Sequence, residues 1–170
     1  ADRARAEGVR VVTYGQAADA DVRIADPVAR ERGWSFAVVD HGVRRGTASL
    51  QVPGLHNALN AVAAWTVASV LGAPVAEAAE GLAEFTGTQR RFELRGQVDG
   101  IRVYDDYAHH PTEVEVTLRA AREVAGEGRV VVAFQSHRYT RTSVFARDFG
   151  VALGLADEVI VLEVYSAGEQ

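Results

Sequence analysis

The sequence predicts an α/β protein built in two parts, and three observations carry that expectation. Residues 9–52 place short β-type runs between turn residues, residues 55–85 change to helical spacing, and from residue 92 strands and helices alternate strictly. The change of grammar falls at Gly87-Thr88-Gln89-Arg90, which breaks the helical pattern, so one domain is expected over residues 1–89 and a second over residues 90–170. A chain of 170 residues, 48% apolar and 24% charged, is long enough to bury one good core or two small ones.

In the first part, Val9 to Tyr14, Asp21 to Ile24, Trp34 to Asp40 and Val43 to Val52 read as strands of a small antiparallel hairpin region, with His41-Gly42 as a tight reversal. From Leu55 the residues Leu55, Leu59, Val62, Thr66 and Val70 recur at helical spacing, and Gly72 suits the position just past the helix end. A second helix opens near Pro74 and runs to about Phe85. In the second part, Phe92 to Val98 and Ile101 to Tyr107 form a hairpin through Asp99-Gly100, a type I′ turn signal. Pro111 opens a helix with Val114, Leu118, Ala121 and Ala125 on its apolar stripe and Glu115 paired with Arg119 on another face. Arg129 to Phe134 is apolar nearly throughout, as in a parallel strand buried on both faces. A helix from about Thr142 to Leu155, with Phe145, Phe149 and Ala152 inward, leads to another buried strand at Val159 to Val164. Strand, helix, strand, helix, strand is the order of a right-handed parallel α/β unit, whose ligands sit at the carboxyl ends of the strands.

Charge and composition narrow the classes. A formal charge of −5 and a pI near 5.5 argue against a nucleic-acid partner, which requires clustered basic side chains. The absence of cysteine excludes a disulfide framework and thiolate metal sites, and suits the reducing cytoplasm. No stretch reads as a membrane span or a targeting segment, since Ala58 to Leu71 is interrupted by Asn60, Thr66 and Ser69. The chain contains no Met, and it closes on a loop, Tyr165 to Gln170, so it reads as an internal piece of a longer protein.

Four constellations could carry chemistry. His56, Asn57 and Asn60 share one face of an otherwise apolar helix; they serve either as caps and a solvated stripe or as a hydrogen-bonding comb for a planar ligand. Asp105 and Asp106 end a strand on opposite faces, which disfavours a shared metal site and leaves one of them to hold ribose hydroxyls or a basic partner. His109 and His110 precede a helix N-terminus, where unpaired N–H groups favour an anion; adjacent histidines make a poor zinc site. Ser136-His137-Arg138-Tyr139-Thr140-Arg141 follows a strand, and its guanidinium forks suit a carboxylate. Ser136 beside His137 is not a hydrolytic pair, because neighbours rarely face each other. Neither a G-x-S-x-G elbow nor a G-x-x-x-x-G-K-[ST] phosphate loop occurs in the chain.

In series, Gly54-Leu55-His56-Asn57-Ala58-Leu59-Asn60-Ala61, Phe85-Thr86-Gly87-Thr88-Gln89-Arg90-Arg91-Phe92-Glu93, Asp105-Asp106-Tyr107-Ala108-His109-His110-Pro111-Thr112-Glu113 and Phe134-Gln135-Ser136-His137-Arg138-Tyr139-Thr140-Arg141-Thr142 resemble the Mur ligase family. The resemblance runs over essentially the whole chain. Ser136 stands where the family usually has proline and Ala108 where glycine is common; neither change removes a functional side chain.

The resemblance implies the C-terminal part of a central ATPase domain followed by the first part of a Rossmann-like C-terminal ligase domain. It implies ATP-dependent joining of L-alanine to the carboxylate of UDP-N-acetylmuramic acid through an acyl phosphate, a cytoplasmic step of peptidoglycan precursor synthesis that contributes to cell shape and division. A ligase that recycles murein tripeptide and a non-catalytic adenosine-binding module are the alternatives. By the same resemblance His56, Asn57 and Asn60 would hold adenine, while Arg91 and Asp106 would reach the ribose and phosphate side of ATP. Tyr107, His109, Arg138 and Arg141 would line the alanine site, with His110 and His137 as second choices and with His109, Arg138 and Arg141 as the catalytic set. The cofactors implied are ATP and Mg²⁺, with the magnesium ligands and phosphate loop upstream of Ala1, so these residues alone are expected to be inactive.

Overall fold

The computed structural model describes residues 2–30 and 33–170. The chain divides into two compact units, Ala1–Thr86 and Gly87–Gln170.

The first unit opens with a short helix, α1 (Asp2–Ala6), which the sequence pattern does not announce. Strands β1 (Tyr14–Gly15), β2 (Val22–Ala29), β3 (Trp34–Asp40) and β4 (Val43–Leu50) follow in a sheet of order β1-β2-β3-β4. Pairing is antiparallel across β2, β3 and β4, but β1 joins β2 in parallel, so the sheet is not the purely antiparallel region expected. The anticipated strand from Val9 is reduced to two residues. Its neighbour Thr13 keeps only its carbonyl for β2, accepting from Val22 N–H at 2.9 Å, while its N–H and hydroxyl both donate to Asp21 Oδ2, at 2.7 and 2.8 Å. Those two hydrogen bonds, the backbone one foremost, hold the Asp21 carboxyl below its usual pKa. His41 and Gly42 both take positive φ, as a tight hairpin turn requires. Pro27 is tolerated inside β2 because the register shifts there, between Ala25 and Val28.

One face of this sheet is apolar by simple alternation: Val22 and Ile24, Phe36 and Val38, Ala48 and Leu50. Helix α2 (Leu55–Val70) covers it with Ala58, Ala61, Val62 and Trp65, and helix α3 (Val75–Glu84) adds Ala78 and Leu82 at the margin. Of the expected stripe, Val62 and Thr66 are buried and Leu55 and Leu59 pack against the core, whereas Val70 is exposed. The buried face is wider than that stripe: it also takes in Trp65, the bulkiest apolar side chain of the helix, while the small Ala58 and Ala61 let the helix approach the sheet. Gly72, at φ 87°, ends the chain's helical run as anticipated. Burying Phe36 and Val62 completely contributes about 1.5–3 kcal/mol each.

The second unit begins with a hairpin, β5 (Glu93–Val98) and β6 (Ile101–Asp105), turned by Asp99 and Gly100 at positive φ as predicted. Helix α4 (Pro111–Ala125) follows, then β7 (Val131–Phe134), α5 (Tyr139–Leu153) and β8 (Glu158–Val161). Strands β7 and β8 pair in parallel around α5, the expected crossover. Strand β6, however, pairs only with β5 and does not join β7, so the five-element unit is split between two small sheets. Val130, Phe134, Val114, Leu118, Phe149, Ala152 and Leu153 form the core. Neither β7 nor β8 is buried on both faces as anticipated: Phe134 is buried and Val132 packs against the core, while Val131 is 53% exposed and β8 is exposed along its length. The physical reason is that α4 and α5 pack on one side of a two-stranded sheet. Helix α5 starts three residues earlier than expected, at Tyr139, and bends at Phe145. None of the helices among the described residues is long and apolar enough to cross a membrane.

Candidate functional site

In the first unit, the candidate residues occupy the opening turns of α2. The helix has Gly54 at its N-cap, at φ 90°, and no side chain caps it. The Asn57 amide donates to Pro53 O at 2.7 Å, so part of it secures the entry to the helix and not a ligand. His56 is partly buried, and Asn60, one turn further on, is exposed. His56 and Asn60 thus share a face, and Asn57 is divided between capping and that face.

In the second unit, the polar candidates gather on the segment after β6 and the segment after β7. The Asp106 carboxylate accepts from Phe92 N–H at 2.8 Å and from Ala108 N–H at 2.7 Å, tying the start of the hairpin to its end. Asp105 lies on its own side, 3.7 Å from Arg90 Nε. The Arg90 guanidinium sits over the Tyr107 ring at 4.6 Å, and Arg91 reaches Glu113 at 3.6 Å. Tyr107 in turn packs beside His109, with centroids 5.1 Å apart, and beside His137 at 6.0 Å; His137 then meets Tyr165 at 5.2 Å.

The two adjacent histidines have different work. The His110 ring caps α4 by accepting from Thr112 N–H at 3.3 Å and rests edge-on against Phe145, so it is held in the structure of the helix start. His109 points Nδ1 at Tyr107 O, 3.0 Å, and at Glu113 Oε2, 3.3 Å. The anion expected at this helix N-terminus is the chain's own: Glu113 Oε2 accepts from His109 N–H and His110 N–H at 2.9 and 3.1 Å. Burial works to raise the Glu113 pKa, but those two N–H groups, the His109 ring and Arg91 outweigh it and hold the carboxyl below its usual value.

After β7, Ser136 is buried with its hydroxyl 2.6 Å from that of Thr142, which accounts for it without any nucleophilic role. Arg138 takes φ 73° at the N-cap of α5, and its Nε donates to Glu169 Oε1 at 2.7 Å. The Arg141 guanidinium lies 3.5 Å from His109 O, which places it beside the first segment. Tyr107, His109, His137 and Arg141 are therefore brought into one neighbourhood, with Arg138 next to His137 in the chain and its guanidinium on Glu169, whereas His110 turns to the helix cap and the core. Sequence reasoning did not single out Glu113, Tyr165 or Glu169. Glu113 carried a signal, a carboxylate three residues into a helix; Glu169 carried none, because its partners lie about thirty residues earlier.

Among the described residues no group of three or more His, Asp or Glu side chains is placed to hold a metal ion. The shallow depression lined by Leu118, Arg119, Arg122, Glu123 and Leu155 contains none of the candidate residues.

Comparison with known proteins agrees with this arrangement of units. Residues 1–68 match the Mur ligase middle domain, and residues 90–170 match the Mur ligase glutamate ligase domain. The UDP-N-acetylmuramate–L-alanine ligase of Acidothermus cellulolyticus is 57% identical over 99% of this chain and 35% of its own length. The crystal structure of the UDP-N-acetylmuramate-alanine ligase from Thermotoga maritima superposes with a TM-score of 0.80 at 38% identity, covering 93% of this chain and 35% of that one. A murein peptide ligase from Psychrobacter arcticus shares the fold, with a TM-score of 0.57 at 23% identity, over 95% of this chain and 41% of that one. The chain spans about a third of the length of the curated relatives it matches. With both of its units matched to domains of these enzymes and more than half of its residues identical to those of the Acidothermus ligase, the chain belongs to the Mur ligase family.

Proposed function

We propose that these residues form part of an ATP-dependent ligase that joins L-alanine to the carboxylate of UDP-N-acetylmuramic acid. The observation that carries the reading is the neighbourhood of Tyr107, His109, Arg138 and Arg141, two guanidinium groups and an imidazole at the ends of strand-following segments, in a chain 57% identical to a ligase of that name. In the proposed reaction the muramyl carboxylate attacks the γ-phosphorus of ATP and displaces ADP. The alanine amine then attacks the acyl phosphate, loses a proton, and expels inorganic phosphate as the amide forms.

The residues of this chain divide that work. Arg138 and Arg141 hold the alanine carboxylate through their guanidinium forks, which fixes the amine relative to the acyl group. His109 Nδ1 faces two acceptors, a carbonyl and a carboxylate, so Nδ1 is the donor to them and Nε2 is the ring nitrogen left to face a ligand. Nε2 is thereby the atom of His109 placed to take the proton that the alanine amine loses. Tyr107 and His137 wall the small amino acid with apolar ring surface. In the first unit His56, Asn57 and Asn60 are suited to take adenine, and in the second Arg91 and Asp106 are suited to meet ribose or phosphate groups. Magnesium, when bound with ATP, neutralises phosphate charge; its ligands are not among these residues.

The test is an L-alanine titration of phosphate release by the complete protein carrying this chain, in the presence of ATP and UDP-N-acetylmuramate. Arg138→Ala is expected to raise the alanine KM about 100-fold, a loss of roughly 2.7 kcal/mol of binding, with a much smaller change in the ATP KM. An unaltered alanine KM in this variant removes the amino-acid site from Arg138. Turnover with a murein tripeptide but not with alanine replaces the reading by that of a recycling ligase, and ATP binding without any turnover replaces it by an adenosine-binding module.

A further inference from the structure

Glu169 accepts three hydrogen bonds, and the proposed reaction leaves it without a role. Its Oε1 accepts from Arg138 Nε at 2.7 Å and from the Thr140 hydroxyl at 2.6 Å, while Oε2 accepts from Thr140 N–H at 3.0 Å. Its side chain is only 16% exposed. The loop that carries it is pinned to the segment after β7 by Arg138 N–H to Tyr165 O at 2.8 Å and Tyr165 N–H to Ser136 O at 2.9 Å. Arg138 is locked from the other side as well, because its carbonyl accepts from the Thr142 hydroxyl at 2.8 Å.

Such locking has a specific consequence for an arginine. A free arginine side chain samples many rotamers, and fixing one costs about 2 kcal/mol. Arg138 also holds φ 73°, a conformation that L-residues rarely adopt and that costs on the order of 1–3 kcal/mol unless its surroundings impose it. The Glu169 contact is made through Nε, on the side of the guanidinium, which leaves the end-on pair of Nη groups for a second carboxylate. A fixed carboxylate beside the guanidinium therefore aims it without occupying its recognition edge.

We infer that Glu169 is a positioning residue for the amino-acid site: it holds Arg138 so that its Nη pair meets the carboxylate of the incoming amino acid. This rests on the amino-acid-site reading above. The Thr140 hydroxyl and N–H, with Arg138, hold the Glu169 carboxyl down to a pKa of about 2, so it remains an anion at any working pH.

The experiment measures L-alanine KM, ATP KM and kcat in the complete protein for Glu169→Gln, Glu169→Ala, Arg138→Ala and the Arg138→Ala/Glu169→Ala double variant, with thermal unfolding of each. Glu169→Gln keeps an acceptor for Thr140 and loses the charge that orients Arg138. It is expected to raise the alanine KM about tenfold while kcat and the ATP KM change less than about twofold. The double variant is expected to match Arg138→Ala alone, because a residue acting only through Arg138 has nothing left to position. If Arg138→Ala raises the alanine KM and both Glu169 variants leave it unchanged, the positioning role is overturned and the amino-acid site stands. Equal losses in alanine KM, ATP KM and kcat for Glu169→Gln also overturn the role, since they mark general damage. If neither Arg138→Ala nor Glu169→Ala moves the alanine KM, the site reading falls and this inference with it.

Discussion

The two units hold themselves together by different means. In Ala1–Thr86 an apolar sheet face and an alanine-rich helix make one continuous core, and the ion pairs, such as Arg44 with Asp26 and Arg45 with Asp40, sit at the surface. In Gly87–Gln170 the core is confined to one side of a two-stranded sheet, and carboxylates fasten the segments after each strand: Asp106 on Phe92 and Ala108, Glu113 on His109 and His110, Asp157 on Val130 and Arg122, Glu169 on Thr140 and Arg138. The difference teaches that a segment without enough apolar surface to bury can still be fixed, provided its backbone N–H groups are met by charged acceptors. Such a segment also presents polar side chains in defined positions, which a ligand site requires.

That contrast can be broken most severely in the first core. Phe36→Ala deletes a buried ring from the middle of the sheet and is expected to cost about 3–5 kcal/mol, read as a lower urea midpoint of the first unit. A smaller loss would mean that the sheet collapses around the cavity and that burial matters less there than the packing suggests. In the second unit Asp106→Ala leaves two part-buried N–H donors unmet and is expected to cost about 1–3 kcal/mol, with Asp106→Asn milder because an acceptor is retained. Equal losses for the two variants would show that the charge, and not hydrogen bonding, does the fastening. The mildest probe is acid. With its pKa at about 2 in the folded chain against an ordinary 4.5, Glu169 contributes stability that is fully present above about pH 4.5 and is lost as pH falls toward 2. Its carboxyl carbon resonance is expected to titrate with a midpoint near 2, and a midpoint near 4.5 would mean that Thr140 and Arg138 do not hold it in solution.

Much of the architecture is legible in the sequence. The turns at His41-Gly42 and Asp99-Gly100, the helix starting at Pro111 and the end of α2 at Gly72 each follow from local chemistry that few residue types satisfy. The candidate residues after β6 and β7 are legible for a similar reason: a polar, cation-rich run directly after an apolar strand marks the strand's carboxyl end, where α/β units gather their ligands. The burial of Trp65, Ala58 and Ala61 beside the expected stripe of α2 is not legible, because leucine spacing does not reveal how wide a face the sheet will cover. Nor is the shortening of the first strand, which depends on Thr13 finding Asp21 eight residues on.

Sequence by itself determined the two-part division of the grammar, the turns, most helix boundaries and the family, because each depends on residues close together in the chain or on motifs kept in order. Tertiary structure alone decided that β6 stays out of the β7-β8 sheet, that β7 leaves one face open while β8 is exposed along its length, and that the anion at the start of α5 is Glu169 and not a residue of its own helix, as Glu113 is for α4. The last case shows the reason most clearly. Glu113 lies within its own helix and could have been read from spacing, whereas Glu169 meets Arg138 across 31 positions of chain, and only the folded path of the backbone brings such partners within hydrogen-bonding distance.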